Sequence, residues 1–229
     1  MSTSFRRSRS FDKRPACAGR GFTLLELMVT MAIMVIVTSI MLFNQAKFDS
    51  STILRSLAYS VALSVRQAQV YGTSVLGTST PQVACSGFYS AGECYVSAYG
   101  VYFNSASPGQ YILFADLNND GRYETGEAIK VFSLNTDYVV SDFCAAQSGS
   151  PVPSNPLAWC KSTGTITQLS IVFKRPNPDA CFSTDLNSSA CAPGSTPFYS
   201  SAMIYLTNQG DPSSVRSVMV TSTGLISAQ

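Results

Sequence analysis

Histidine is absent from the 229 residues, which removes the commonest general base and the commonest metal ligand. A Ser-His-Asp or Cys-His hydrolase is thereby excluded. No nucleophile–base pair, phosphate-binding loop or catalytic metal cluster is visible in the sequence, which reads as a non-enzyme that requires no cofactor. The side chains left to do chemistry are acids and thiols. The densest set is Asp116-Leu117-Asn118-Asn119-Asp120-Gly121-Arg122-Tyr123-Glu124-Thr125-Gly126-Glu127. It meets the D-x-[DN]-x-[DN]-G-x5-E calcium-loop pattern at every specified place. Asp116, Asn118, Asp120, Arg122 and Glu127 form the candidate ligand set, and Gly121 makes the sharp turn. The flanks read as strands, however, instead of the two helices of an EF-hand. A hairpin held by Asp and Asn side chains bonding their own backbone explains the same composition, so calcium and a plain hairpin are both open readings.

A second acid stands by itself. The 22 residues from Phe22 to Phe43 contain one ionisable side chain, Glu26, one turn into an apolar run. A mid-helix acid in a membrane costs about 2.5–3.5 kcal/mol, less near the interface, and such residues are functional by default. Glu26 therefore needs a positive partner, and no other side chain in the run supplies one. A free α-amino group at Phe22 would, if the chain were cut after Gly21, because its pKa of about 8 leaves it mostly protonated at neutral pH. The spacing makes the two an i,i+4 pair within one helix, or a pair between staggered helices.

Of seven cysteines, Cys17 precedes the apolar run, and Cys85, Cys94, Cys144, Cys160, Cys181 and Cys191 come after it. There is no Cys-x-x-Cys pair to suggest zinc. Six thiols permit fifteen pairings. The nearest-neighbour scheme, favoured here, closes short loops 85–94, 144–160 and 181–191, each rich in Gly, Ser, Pro or Asn. Disulfides of this kind belong to an oxidising space outside the cytoplasm.

These residues need an anchor and a body to hold them. As a helix, the apolar run spans about 33 Å, enough to cross a bilayer. Six basic residues lie in 1–21 (Arg6, Arg7, Arg9, Lys13, Arg14, Arg20) against Asp12, which keeps the N-terminus in the cytoplasm and exports the C-terminal body. The helix is expected to continue to residue 72, because Leu54, Leu57, Val61, Val65 and Ala68 recur at helical steps. Asp49-Ser50-Ser51-Thr52 offers cap-type residues for a kink or a fresh start. Beyond Gly72, short runs of β-formers at 99–103, 111–115, 128–132, 169–173, 203–207 and 215–220 predict an antiparallel sheet assembly, with loops over 144–167 and 177–199. The fold class is α+β: a long N-terminal membrane-spanning helix packed on a C-terminal antiparallel β domain. The organisation is a cytoplasmic leader at 1–21, a helix at 22–72 with its membrane part at 22–43, and an exported β-rich domain at 73–229.

Arg20-Gly21-Phe22-Thr23-Leu24-Leu25-Glu26-Leu27-Met28-Val29 closely resembles the type IV prepilin cleavage and methylation motif, with its basic leader, glycine, Phe and a glutamate at the fifth mature position. The resemblance implies that a prepilin peptidase of the inner membrane cuts after Gly21 and that the Phe22 amine is N-methylated. It also implies that Glu26 pairs with a neighbour's N-terminus during assembly. The implied partners are that peptidase, other pilin or pseudopilin subunits and the inner-membrane assembly platform. Leu57–Gln69, which ends in Arg66-Gln67-Ala68-Gln69, together with the 116–127 hairpin resembles the H-type pseudopilins and the FimT/FimU minor pilins. The expected function is a non-enzymatic minor or tip subunit of a type IV pilus or a type II secretion pseudopilus. The expected location is the inner membrane, single-pass with the N-terminus cytoplasmic before assembly, and the body periplasmic or extracellular in the filament. The alternative is a DNA-binding minor pilin for DNA uptake. DNA-uptake members carry a basic Gly-Arg-x-Arg type end, whereas this chain closes Thr223-Gly224-Leu225-Ile226-Ser227-Ala228-Gln229. Residues 22–229 hold 9 basic and 12 acidic side chains, a charge of −3, so no nucleic-acid partner is expected.

Overall fold

The computed structural model describes residues 21–74, 77–78, 94–95, 98–147, 158–186 and 198–229. Helix α1 runs Leu24–Thr73, and no fresh helix start appears at Asp49–Thr52. The chain divides into two compact units, Met1–Ala46 and Lys47–Gln229. The C-terminal part of α1 thus folds with the strands. In the first unit, Leu24–Leu42 has a mean hydropathy of 2.3, and none of its residues is buried within the chain. Nineteen helical residues rise about 28 Å, close to the hydrocarbon thickness of a bilayer.

The strands of the second unit are β1 (Gly77–Thr78), β2 (Cys94–Tyr95), β3 (Ala98–Asn104), β4 (Gln110–Asp116), β5 (Ala128–Ser133), β6 (Tyr138–Gln147), β7 (Ala158–Cys160), β8 (Gln168–Lys174), β9 (Ala180–Thr184), β10 (Tyr199–Asn208), β11 (Asp211–Thr221) and β12 (Ile226–Ala228). Two five-stranded sheets form, ordered β5-β4-β3-β8-β9 and β12-β11-β10-β6-β7, and β1 pairs with β2 in a short ribbon. All their pairings are antiparallel. Period-2 alternation sends Val101 and Phe103 of β3 and Leu169, Ile171 and Phe173 of β8 into the main core. That core also receives Val140, Ala145, Ile204, Leu206, Val218 and Val220 from the other sheet. On α1 it receives the stripe Leu54, Ala58, Val61, Val65 and Ala68. Leu57, expected in that stripe, is half-buried at its edge. Helix and sheet approach closely at Gly72, where a Cβ would stand 2.3 Å from the Phe173 carbonyl oxygen.

The first sheet also has an apolar outer face. Ala98, Tyr102, Phe114 and Val172 are buried there, with Ile112 and Tyr123 packed against them. Tyr123 arrives from the connection between β4 and β5, its ring centroid 4.7 Å from that of Tyr102 and 5.6 Å from that of Phe114. This seats the acidic segment on the sheet.

Six strands stand where β-formers cluster in the sequence. The loops expected over 144–167 and 177–199 are in part strands. Cys144–Gln147 is the end of β6, Ala158–Cys160 is β7 and Ala180–Thr184 is β9. The residues before Cys144 were also missed as strand. In β6, Ser141, Asp142 and Ala145-Ala146 break the β-former pattern, and packing between the sheets overrides that weak local preference.

Candidate functional site

Thr23 caps α1. The Glu26 N–H donates to Thr23 Oγ1 at 3.2 Å, and the Leu27 N–H donates to the Thr23 carbonyl at 3.1 Å. Thr23-Leu24-Leu25-Glu26 is thus half of a capping box, and an acid in the first turn is also favoured by the helix dipole. Phe22 precedes the cap and is 78% exposed. The helix therefore starts too late to include Phe22, and the i,i+4 pairing within one helix is not set up in the uncut chain. Gly21 has nothing within 4 Å of an added Cβ, so no packing in this chain demands a glycine there. From Leu24 to Leu42 the large apolar side chains are exposed, among them Leu24, Leu25, Met28, Met34 and Met41.

The second candidate, Asp116–Glu127, is a tight turn between β4 and β5. Asp116 is 2% exposed. Its Oδ2 accepts the Gly121 N–H at 2.9 Å, Asn118 Oδ1 accepts the Asp120 N–H at 3.0 Å, and Asp120 Oδ1 accepts the Arg122 N–H at 2.8 Å. Glu127 closes the turn, with Oε1 accepting the Leu117 N–H at 2.9 Å and Oε2 the Glu124 N–H at 2.8 Å. Asn119 and Gly121 have positive φ, 60° and 77°, conformations that Asn and Gly tolerate best. The Arg122 side chain turns away and donates from Nη2 to the Thr184 carbonyl at 2.8 Å.

Burial pushes the Asp116 carboxyl up to about 6, with Glu127 and Asp120 adding to the rise and the Gly121 and Asn119 N–H groups opposing it. Burial also raises Glu127, against the Leu117 and Glu124 N–H groups. Among the described residues, two buried side-chain polar atoms lack a hydrogen bond, Asp116 Oδ1 and Arg122 Nε, and both lie in this turn. The carboxylates of Asp116, Asp120 and Glu127 are not gathered within 4.8 Å of one another. The one group of three metal-capable side chains that close, among the described residues, is Asp142, Cys144 and Cys160. Its two thiols are joined to each other, which leaves no thiolate for a metal.

Residues 18–42 match the family model described as the prokaryotic N-terminal methylation motif. The chain carries the prokaryotic N-terminal methylation motif, which supports a type IV pilin or pseudopilin. The match coincides with Gly21, Phe22, Thr23 and Glu26 and with the exposed apolar helix that follows them. No curated protein and no solved structure matches the chain.

In this pilin-like chain the two candidate sites fall in different units and share no residue. Of the six cysteines, Cys144 and Cys160 are disulfide-bonded across the β6–β7 ladder, where they are register partners. Cys181 is disulfide-bonded as well. Cys94 lies on β2, and Cys85 and Cys191 fall outside the described residues. Sequence reasoning passed over two residues. Thr23 was detectable, because Thr-x-x-Glu before an apolar run is a helix-start signature. Gln69 was not: its amide joins α1 to Pro178 and Gly224, 109 and 155 positions away.

Proposed function

We propose that this pilin-like chain is a non-enzymatic minor or tip subunit of a type IV pilus or type II secretion pseudopilus, akin to the H-type and FimT/FimU group. In this reading prepilin peptidase cuts after Gly21, the Phe22 amine is methylated, and the subunit enters the filament through residues 22–43. The observation that carries the reading is the helical segment Leu24–Leu42, in which Glu26 is the one ionisable side chain and no residue is buried in its own chain. An apolar surface of that extent requires lipid or neighbouring subunits to cover it. The same helix would sit in the inner membrane before assembly, with the six basic residues of the leader on the cytoplasmic side. The Cys144–Cys160 disulfide fits an exported body.

A DNA-uptake role is the alternative, and the −3 charge of residues 22–229 gives it no support. The test is mass spectrometry of the protein from the membrane fraction. Wild type should begin at Phe22 with one added methyl group. Gly21→Ala should retain residues 1–21 while its body folds normally, since nothing crowds a Cβ at that position. Filament-incorporated wild-type subunits that still carry the leader would overturn the reading.

A further inference from the structure

We propose that the turn between β4 and β5 is a calcium site of the exported domain, with Asp116 Oδ1 as its innermost ligand and Asn118, Asp120, the Arg122 backbone carbonyl and Glu127 completing the set. Two independent observations meet here. One is the pattern, satisfied at every specified position. The other is a carboxylate oxygen, Asp116 Oδ1, that accepts no hydrogen bond on a residue that is 2% exposed, although the Asn119 backbone acts on the same carboxylate. The Gly121 N–H holds Oδ2 of the same carboxylate at 2.9 Å, which ties the group to the loop. A buried acceptor left without a donor costs about 1–3 kcal/mol, more when charged, so its persistence calls for a ligand.

The chemistry of that ligand is set by the donors. All are oxygens and three are carboxylates, a hard, negatively charged set suited to calcium or magnesium. The turn connects two strands and draws its oxygens from side chains of different length. That suits the flexible coordination of calcium better than the rigid octahedron of magnesium, which also gives up its waters reluctantly. The turn is already held in shape, because the Asn118 and Asp120 side-chain oxygens each hold the amide two residues on. Each oxygen that accepts one N–H retains a second lone pair. The carboxylates are not yet within 4.8 Å of one another; binding would draw them together and firm the seat of Tyr123 on the outer face of the first sheet. Arg122 does not block the site, since its side chain is engaged with Thr184.

The experiment uses the full mature chain in detergent, stripped with a chelator, and reads calorimetric titration with calcium chloride and thermal unfolding. Wild type should bind one calcium per chain. Its Tm should rise by about 3–6 °C at a tenfold excess over Kd, and less in equal magnesium. Asp116→Asn should keep its cation-free Tm or raise it, because a neutral amide can still accept the Gly121 N–H and avoids the cost of burying a carboxylate, yet lose the calcium response. Asp120→Asn, at a more accessible position, should weaken that response without altering the cation-free fold. No heat and an unchanged wild-type Tm in about 10 mM calcium, well above the range typical of extracellular modules, would overturn the proposal. So would an undiminished response in Asp116→Asn.

Discussion

Gln69 is 5% exposed and every polar group of its side chain is engaged. Arg66 Nη1 donates to Oε1, and Nε2 donates to the Pro178 carbonyl at 2.9 Å and the Gly224 carbonyl at 3.0 Å. Gly224 has φ of 79°, and a Cβ there would stand 2.2 Å from the Pro178 oxygen, so a close backbone crossing meets the amide that ties it to α1. Gln69→Leu leaves those two carbonyls without this donor and should cost about 1–3 kcal/mol. The check is the urea midpoint of the full mature chain in detergent, with little change in the m-value. At this scale the sequence disclosed residues whose meaning is local. Glu26 stands out in an apolar run, and Asp116, Asn118 and Asp120 act on amides two to five residues away. It concealed Gln69, a polar residue on a helix whose partners come together only once the fold has formed.

β7 is a three-residue edge strand held to β6 by the register pairs Ala145↔Trp159, Ala146↔Ala158 and Cys144↔Cys160. A strand so short gains little from its ladder, and the disulfide, spanning a separation of 16 residues, does much to keep it in place. Asp142 assists by accepting the Phe143 N–H at 2.8 Å and the Ser162 N–H at 3.0 Å. Replacing both cysteines, Cys144→Ser with Cys160→Ser, should therefore cost about 2–4 kcal/mol. Amide exchange would show the protection lost first at β7 and the 161–165 turn. The strands poor in β-formers explain what could not be read in advance. Strands with strong β-formers, such as β3, β4 and β8, were legible because each is buried by its own side chains. β6 and β9 carry Ser, Ala, Asp and Cys, and they become strands through neighbours supplied by distant segments, β10 for β6 and β8 for β9.

At the scale of the whole molecule, the chain pairs a folded unit that has a buried apolar core with an apolar segment in which no residue is buried. The α+β class and the apolar helix were legible because composition changes sharply at residue 22 and again near Gly72. Where α1 joins each unit was not, since helical periodicity continues past the membrane segment and only packing shows that residues from Lys47 onward belong with the strands. The exposed helix makes one demand, and Glu26 makes it specific: a carboxylate among Leu, Met, Ile and Val needs a cation, and the cut N-terminus of a neighbouring subunit is the one the proposed processing creates. Measuring the incorporation of Glu26→Gln tests that claim most directly, by quantifying tagged subunit in sheared filaments against the amount cleaved in the membrane. Removing one partner of a buried ion pair costs about 3–5 kcal/mol. The variant should insert and be cut at Gly21 like wild type, yet enter filaments at least about tenfold less. Incorporation of cleaved Glu26→Gln at the wild-type level would contradict assembly by charge pairing between helices.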